Sequence, residues 1–273
     1  MGKCLVTVLK EICNNADLNK LGTCRITFGT TGTSRKMQIR FTENMQLNIV
    51  GGYFTDQTFT QNNGTTYNCT KDTLETLYVS SSNGYIIVGN KYKMSLLNIL
   101  NSSFCIDVDD LKFTNDMKYL ALGVSLSKGD LKSICTKYVE NIDVHSTDVY
   151  GDISALGNCS SLQAIALYNN QNLYGDINVF LNTPKLENVV LGNDKIYGSI
   201  VSFGNCVKLS ILNIPRTNLT GKVEDLANAL IASGKTSGQI TLTCDNTNIT
   251  FNDQPCNYKI IKFTNSGVTY ADS

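Results

Sequence analysis

The chain of 273 residues carries 23 basic and 23 acidic side chains, so its formal net charge is zero. This length is enough to bury a large core in one or two domains, and the balanced charge argues against nucleic acid or an anionic membrane as a partner. No apolar run approaches the roughly 18 residues of a membrane span, and the first residues lack the features of a secretory signal. We therefore expect the chain to be made in a cytoplasm, and either to stay there or to be assembled there into a particle.

Residues 1–70 are predicted to form a small β-rich module. The segment CLVTVLKEI suits a strand or a short helix, whereas TCRITFG and KMQIRFTENMQLNIVGG alternate like strands around a GTTGTS turn. GTTGTS lacks the lysine of a phosphate-binding loop, so we expect no nucleotide there. Such a module either caps the neighbouring apolar core or anchors the chain, to a larger assembly or to further copies of itself in a homo-oligomer.

Residues 71–273 are dominated by an internal repeat. Counted from Leu186, apolar residues stand at offsets +3, +5, +10, +14 and +17, a glycine at +12 and an asparagine at +19. The same offsets hold from Leu209 and from Val139, and they hold from Leu162 after one residue is inserted within NNQN. Because the following repeat then begins 24 residues later instead of 23, the insertion and the period explain each other.

Weaker copies extend the pattern in both directions. Upstream they begin at Met117, Met94 and Leu74. Downstream, Ile240 and Leu242 restart a strand after the IASGKTSGQ insert, and YKIIKFTNSG is predicted as a last weak copy. Six or seven good repeats of this length are typical of a solenoid, in which each repeat contributes one rung of a parallel sheet.

Each offset predicts a structural role. Side chains at +3 and +5 point to one face of a short strand, and those at +14 and +17 close the core from the far side. Glycine at +12 allows a turn conformation that other residues resist. A short polar side chain at +8 is expected to hydrogen-bond turn backbone, in the series Ser102, Ser125, Thr147, Asn170, Asp194 and Thr217. The asparagines at +19 are expected to hold a corner, in the series Asn158, Asn182, Asn205 and Asn228.

The pattern LxxLxLxxNxLxGxI, followed by LGNCSSLQAIAL, resembles the leucine-rich-repeat family in the 23–24-residue form of plant receptors and many bacterial proteins. The resemblance covers about residues 74–250. It implies a mainly β or α/β solenoid with a parallel sheet on its concave face, and a role in protein–protein interaction. The asparagine slot is mostly Ser, Thr or Asp, no proline follows Gly-x-Ile, and disulfide-rich caps are missing. These departures favour a bacterial or phage protein over a receptor ectodomain.

The N-terminal segment LKEICNNADLNKLGTCRI resembles the openings of structural proteins from Bacteroides phages and prophages. That resemblance implies a virion component that is assembled in the bacterial cytoplasm. Because the sequence shows no catalytic motif, we expect a non-enzymatic structural or recognition protein, such as a fibre, decoration or attachment protein. The alternatives are a bacterial cell-surface adhesin, an intracellular protein-interaction scaffold, and an enzyme that uses Asp143 and His145.

The outward positions +2, +4 and +6 of the concave strands are the predicted recognition surface. Tyrosines among small polar residues suit adaptable binding of a protein partner on a virion or a host surface, or of a glycan. The candidate binding residues are Tyr78, Tyr119, Asp143, His145, Tyr168, Asn188 and Asn213. A second set of tyrosines precedes the +12 glycines and is expected to form a stacked ladder at a turn, namely Tyr150, Tyr174 and Tyr197.

Metal and cofactor chemistry is not expected. The ten cysteines include no CxxC pair and His145 is the single histidine, so the ligand spacing of a zinc site is missing. We expect the cysteines to be buried free thiols that pack as small apolar residues. The acidic DVDD segment lacks the glycine and the distal glutamate of a calcium loop, and no Gly-x-Ser-x-Gly elbow marks a nucleophile. No catalytic residue is therefore assigned.

Overall fold

The computed structural model describes residues 24–28, 35–51, 53–55, 65–80, 84–99, 104–112, 114–193, 195–265 and 267–272. Within these ranges lies one α-helix, α1 (Val223–Ala232). The 3₁₀ helices span Lys91–Lys93, Val108–Leu111, Leu131–Ser133, Ile153–Asn158, Ile177–Asn182 and Ile200–Phe203. The strands are, in chain order, β1 (Cys24–Phe28), β2 (Arg35–Phe41), β3 (Met45–Val50), β4 (Tyr53–Thr55), β5 (Thr66–Cys69), β6 (Glu75–Ser80), β7 (Gly84–Val88), β8 (Met94–Asn98), β9 (Phe104–Ile106), β10 (Tyr119–Ala121), β11 (Lys128–Asp130), β12 (Asn141–Asp143), β13 (Asp148–Asp152), β14 (Ala164–Ala166), β15 (Leu173–Asp176), β16 (Asn188–Val190), β17 (Ile196–Ser199), β18 (Ile211–Asn213), β19 (Asn218–Lys222), β20 (Gly238–Thr243), β21 (Asn248–Phe251), β22 (Gln254–Pro255), β23 (Tyr258–Thr264) and β24 (Gly267–Ala271).

A twelve-stranded sheet runs through both halves of the described chain. Its strands β8, β10, β12, β14, β16, β18 and β20 pair in parallel, each with the strand of the next repeat. The buried residues at +3 stand opposite one another across the rungs, namely Leu97, Leu120, Ile142, Ile165, Val189, Leu212 and Leu242. The predicted parallel sheet is confirmed, and we call it the concave sheet.

A second sheet contains seven strands: β11, β13, β15, β17, β19, β21 and β22. All except β22 pair in parallel, and 3₁₀ helices or α1 return the chain from this sheet to the concave sheet. Between the sheets the core residues of successive coils stack, as in Phe180 and Phe203, whose ring centroids lie 5.1 Å apart. This arrangement is a leucine-rich-repeat solenoid, so the predicted fold class is confirmed.

The turn into five of the six 3₁₀ helices in the described chain is held by a side chain that the sequence pattern did not single out. Asp130, Asp152 and Asp176 each accept a hydrogen bond from the backbone N–H two residues later. Gly175, whose φ is +135°, packs against this carboxylate, because a Cβ at that position would lie 2.6 Å from Oδ1 of Asp152. The +12 glycine is therefore required both by its backbone conformation and by the capping aspartate of the preceding coil.

The +8 residues hydrogen-bond turn backbone, as the pattern predicts. Nδ2 of Asn170 donates to the carbonyl of Val144 at 2.7 Å, and its Oδ1 accepts from the N–H of Thr147 at 2.8 Å. Asp194 lies outside the described residues. In that coil the buried polar side chain is Asn193, one position earlier. Its Nδ2 donates a hydrogen bond to the backbone carbonyl of Asn170. Buried amides thus link one coil to the next at this corner.

The prediction that the +19 asparagines hold a corner is wrong. All four side chains are exposed, and among them Asn205 has a described backbone contact, with the Leu181 carbonyl at 3.2 Å. The corner is filled one residue later by buried Cys159, Thr183 and Cys206.

The strands before the solenoid pair antiparallel. β1, β3, β5, β7 and β9 form a five-stranded sheet, while β2, β4 and β6 extend the concave sheet beyond β8. The weak repeat predicted from Leu74 is wrong, because β6 and β7 pair with β2, β1 and β3 instead of with a neighbouring coil. CLVTVLKEI, GTTGTS and Ser102 lie outside the described residues. The domain boundary at residue 70 stays a prediction.

An antiparallel hairpin ends the parallel ladder. β23 pairs antiparallel with both β20 and β24. The prediction that YKIIKFTNSG is a further repeat is therefore wrong, because its strand runs in the opposite direction.

Lys235 is buried after α1 and donates from Nζ to the carbonyls of Val207 and Leu209 at 2.8 and 3.0 Å. Burial lowers the pKa of this lysine. Its ammonium group satisfies carbonyls at the corner that α1 covers.

The eight cysteines within the described ranges have free thiols, and all of them except Cys105 are buried. Burial raises the pKa of Cys24 and of Cys206 to about 12. A hydrogen bond with Cys159, together with burial, raises the pKa of Cys135. Thiols of this kind are protonated at neutral pH and pack as small apolar groups, which agrees with the prediction for these positions.

Candidate functional site

The concave sheet presents two rows of outward side chains across its coils. At +4, the neighbours in order are Asn98, Ala121, Asp143, Ala166, Val190, Asn213 and Thr243. At +2, they are Leu96, Tyr119, Asn141, Ala164, Asn188, Ile211 and Thr241. Adjacent members of a row lie one strand apart, about 4.8 Å, so the two rows form one continuous surface.

The predicted binding residues all lie on this face, and the described contacts bring three of them together. Asp143, His145 and Tyr168 form a cluster at β12 and β14, which we call the Asp-His-Tyr cluster. The others are spread along the sheet: Tyr78 on β6, Tyr119 on β10, Asn188 on β16 and Asn213 on β18. Tyr78 is separated from β10 by β8 and β2. The role of these residues in binding stays a prediction.

The Asp-His-Tyr cluster is held by hydrogen bonds and by ring stacking. Oδ1 of Asp143 accepts from the Nδ1–H of His145 and also from its backbone N–H, the latter at 3.2 Å. The imidazole stacks on the Tyr168 ring with centroids 4.4 Å apart and planes inclined by 12°. Burial and, to a smaller extent, the Asp143 carboxylate raise the pKa of Tyr168. These contacts fix both rings before any partner arrives.

Two glycines at +6 make room for the cluster. A Cβ on Gly123 would lie 2.2 Å from Cε1 of His145, and a Cβ on Gly192 would lie 3.0 Å from Cβ of Tyr168. The +6 positions of these four coils therefore form a row with a glycine at each end and the two rings between them, in the order Gly123, His145, Tyr168 and Gly192. The sequence pattern did not single out these glycines, although both stand at the same offset as the two rings.

The aspartate–histidine pair also resembles the orienting half of a catalytic triad. Within the described residues, Asp143 is the side chain that hydrogen-bonds the imidazole, and no serine hydroxyl or cysteine thiol reaches it. The nearby Ser146 hydroxyl accepts instead from Nδ2 of Asn169 at 3.4 Å. The arrangement thus offers two fixed rings and hydrogen-bonding edges for recognition, without a placed nucleophile.

Beyond Tyr168 the concave face becomes aliphatic. Ala166 and Val190 continue the +4 row, and Ile211 in the +2 row has 43% of its surface exposed. Ile211 is not among the predicted binding residues, although its +2 offset from Leu209 marks it as outward-facing. An aromatic centre beside an aliphatic flank resembles the core of a protein–protein interface.

A polar recess opens at the rim of the concave face, between the coil with the NNQN insertion and the two coils that follow it. Neighbouring coils turn here through left-handed residues, such as Asn169 with φ of 57° and Arg216 with φ of 55°. The coil between them instead buries Asn193. The cavity at this irregularity measures about 680 Å³ and is lined by Asn169, Asn170, Gln171, Gly192, Asn193, Lys195 and Arg216. It adjoins the Asp-His-Tyr cluster through Gly192.

The tyrosines of the second sheet do not form the predicted stack. Tyr150, Tyr174 and Tyr197 have 45%, 50% and 51% of their surface exposed, and their rings make no mutual contact in the described chain. The strand register explains this difference. Tyr174 stands opposite Asp152, two residues along from Tyr150, so successive tyrosines are diagonal neighbours about 7–8 Å apart.

The acidic DVDD segment is used within the fold. Oδ1 of Asp107 accepts from the N–H of Asp109 at 3.0 Å, and Asp109 accepts from the Ser133 hydroxyl. Over the part of the chain that the structure describes, no three His, Cys, Asp or Glu side chains come together as metal ligands. No helix within that part is long and apolar enough to cross a membrane.

No protein-family model matches the chain, and no curated protein matches it. Solved structures do resemble it. Internalin C2 of Listeria monocytogenes strain 4b F2365 is 15% identical over 61% of this chain and 79% of its own, with a TM-score of 0.41. An internalin (inlF) of the same strain is 18% identical over 53% and 46%, with a TM-score of 0.36.

Plant proteins occur among the similar structures as well. The ectodomain of the Arabidopsis receptor kinase HAESA, solved with a peptide hormone ligand, is 17% identical over 56% of this chain and 29% of its own, with a TM-score of 0.39. This chain spans less than half the length of that ectodomain and of inlF. These structural neighbours are leucine-rich-repeat proteins, and at this level of similarity they say nothing about the ligand of this chain.

Proposed function

We propose that the protein is a non-enzymatic recognition protein that binds an extended segment of a protein partner across its concave sheet. The observation that carries this proposal is the Asp-His-Tyr cluster, whose rings are stacked, hydrogen-bonded and partly exposed on the outward side of the sheet. Rings that are fixed in advance lose little conformational entropy on binding, so they serve as anchors for a partner.

The surroundings of the cluster indicate the chemistry of the partner. From β10 to β20 the +2 and +4 rows contain one charged side chain, Asp143. Val190 and Ile211 offer aliphatic contact, while the amides of Asn188 and Asn213 both donate and accept hydrogen bonds. A partner segment that fits this surface is nearly neutral. It has an apolar side chain that packs on the aliphatic residues and backbone peptide groups on either side that hydrogen-bond the amides.

We further propose that the setting of this recognition is a phage particle, with the solenoid displayed as part of a fibre, decoration or attachment protein. The support is the N-terminal sequence resemblance and the layout in which antiparallel strands precede the solenoid. Display on a bacterial cell surface, or use as an intracellular scaffold, is the alternative. Immunogold labelling with an antibody against this chain separates these locations: label on purified particles supports the proposal, and label confined to cells contradicts it.

Site-specific cross-linking tests the concave-face proposal. A photoreactive benzoylphenylalanine replaces Val190 in the full chain, which is then irradiated with an extract of the source material. We expect a discrete adduct that disappears when His145→Ala and Tyr168→Ala are added. The matched control places the photoreactive residue at Tyr138, which is 44% exposed and lies outside both sheets, where no such adduct is expected. An adduct at position 190 that survives loss of both rings contradicts the proposal.

A further inference from the structure

The second sheet carries an exposed aromatic surface that the proposed function does not use. We call Tyr150, Tyr174 and Tyr197 the tyrosine stripe. They occupy the same position in three consecutive coils, directly before the +12 glycine, on the side of the second sheet that faces away from the core. About half of each side chain reaches solvent.

The fold does not require aromatic rings at these positions. In the next coil the same position is taken by Thr220, whose strand β19 pairs with β17 in the same parallel ladder. The tyrosine rings gain no contact with one another, since the two-residue stagger between strands keeps them apart. Three large side chains held half-exposed at a position that accepts threonine point to an external ligand.

A carboxylate stands beside each ring of the tyrosine stripe. Across the strand pairs, Asp130 is opposite Tyr150, Asp152 is opposite Tyr174, and Asp176 is opposite Tyr197. Oδ1 of each aspartate caps a 3₁₀ helix. Oδ2 of Asp130 pairs with Lys132, and Oδ2 of Asp176 accepts from Nδ2 of Asn178 at 3.1 Å. Because a carboxylate oxygen has two lone pairs, these oxygens can each accept one more hydrogen bond, and Oδ2 of the exposed Asp152 can accept two.

Three of the lysines near the stripe have partners. Lys132 pairs with Asp130 at 2.6 Å, Lys195 donates to the Gln171 carbonyl at 2.7 Å, and Lys222 pairs with Asp253 at 2.6 Å. The exposed Asp148 at the start of β13 stands opposite a fourth lysine, the exposed Lys128, across the pairing of β11 with β13. The surface is therefore an aromatic track beside hydrogen-bond acceptors, where the four carboxylates of Asp130, Asp148, Asp152 and Asp176 outnumber the lysines Lys128, Lys132 and Lys195 by one.

From this geometry we propose that the tyrosine stripe binds a neutral polysaccharide chain that runs obliquely across the coils. The C–H groups on one face of a pyranose ring pack against the negative face of an aromatic ring, and the sugar hydroxyls donate hydrogen bonds to carboxylates. The excess of carboxylates disfavours nucleic acids, anionic membranes and acidic glycans. A protein partner fits less well, because the outward neighbours of the stripe include no aliphatic side chain.

Native gels that contain a soluble polysaccharide test this proposal on the full chain. The probes are dextran, mixed-linkage β-glucan and galactomannan as neutral chains, and alginate as an acidic one. We expect retardation by at least one neutral probe, none by alginate, and at least tenfold weaker retardation in the variant Tyr150→Thr, Tyr174→Thr, Tyr197→Thr. Absence of retardation by all three neutral probes, or equal retardation of the triple variant, overturns the proposal.

Two controls keep the result interpretable. Tyr138→Thr removes a tyrosine of similar exposure, 44%, outside the stripe, and should leave retardation unchanged. Hydroxyl-radical footprinting of the unmodified protein with the retarding probe should protect the three stripe tyrosines, which gives a second reading that does not depend on the folding of any variant. Tyr168→Ala on the concave sheet should keep polysaccharide binding, so that failure of this proposal and failure of the concave-face proposal are distinguishable.

Discussion

The two sheets of the solenoid show opposite behaviour from coil to coil. In the second sheet five consecutive coils place a glycine against the capping side chain of the preceding coil, as in Gly175 against Asp152. On the concave sheet the outward +4 position changes with each coil, from Asp143 through Ala166 to Val190. Residues that repeat from coil to coil in this chain are therefore those that the turn geometry requires. Positions that vary from coil to coil lie on a surface that the fold does not constrain. The tyrosine stripe departs from this rule, since it is repeated and yet exposed.

The largest effect is expected where both sheets share one core. Phe180 is fully buried and stacks on Phe203 between the sheets. Phe180→Ala should lower the free energy of unfolding by about 3–5 kcal/mol, because it removes a large apolar side chain and leaves a cavity. Denaturant titration measures this loss. The neighbouring Leu181, 45% exposed, provides the matched control: Leu181→Ala should change stability by less than about 0.5 kcal/mol.

The corner between the sheets should be the next most sensitive region. Asn170→Ala leaves the N–H of Thr147 without its partner in a buried site, and it removes one donor each from the carbonyls of Val144 and Leu167. The Val144 carbonyl keeps the Thr147 hydroxyl at 2.7 Å. We expect a loss of about 2–3 kcal/mol, since unsatisfied buried groups keep their full desolvation cost. Asn182→Ala, at an exposed asparagine, should be nearly silent. Equal losses in the two variants would contradict the assignment of the corner contacts.

The sequence was sufficient for the solenoid because its period repeats a physical requirement many times over. The residue type alone identifies several of these positions without coordinates. They are the apolar residues at +3 and +5, the glycine at +12 and the buried amide Asn170. The ends were predicted less well, since the strand at Glu75–Ser80 has a repeat-like apolar pattern but pairs antiparallel. Pairing direction depends on distant partners, which an offset count does not contain.

The candidate site was predicted only in part, and for a related reason. Asp143, His145 and Tyr168 were identified individually from their outward offsets, but their contact depends on the alignment of two coils and on the space left by Gly123 and Gly192. The absence of a side chain at a position gives little signal when each repeat is considered separately. The stagger that separates the tyrosines of the second sheet likewise arises between strands, not within one repeat.

A change confined to the concave sheet should alter the site more than the fold. Gly123→Ala places a Cβ 2.2 Å from the present position of Cε1 of His145, so the imidazole must leave its stack on Tyr168. Because the chain has a single histidine, NMR shows this movement in one imidazole resonance, which should lose the ring-current shift from Tyr168. Gly89→Ala, where a Cβ meets nothing within 4 Å, is the control. An unchanged imidazole resonance in Gly123→Ala would contradict the cluster geometry.

The smallest effect on stability is expected from the tyrosine stripe. Tyr174→Thr exchanges a half-exposed ring for the residue that Thr220 supplies in a later coil, so the free energy of unfolding should change by less than about 0.5 kcal/mol. Thermal or denaturant unfolding measures this difference. A loss as large as that from Asn170→Ala would mean that the ring supports the solenoid, and the repetition of tyrosine would then be explained by the turn. If Tyr174→Thr is as stable as the unmodified protein, the fold does not explain the exposed rings. A ligand that binds the second sheet then explains why tyrosine is repeated there.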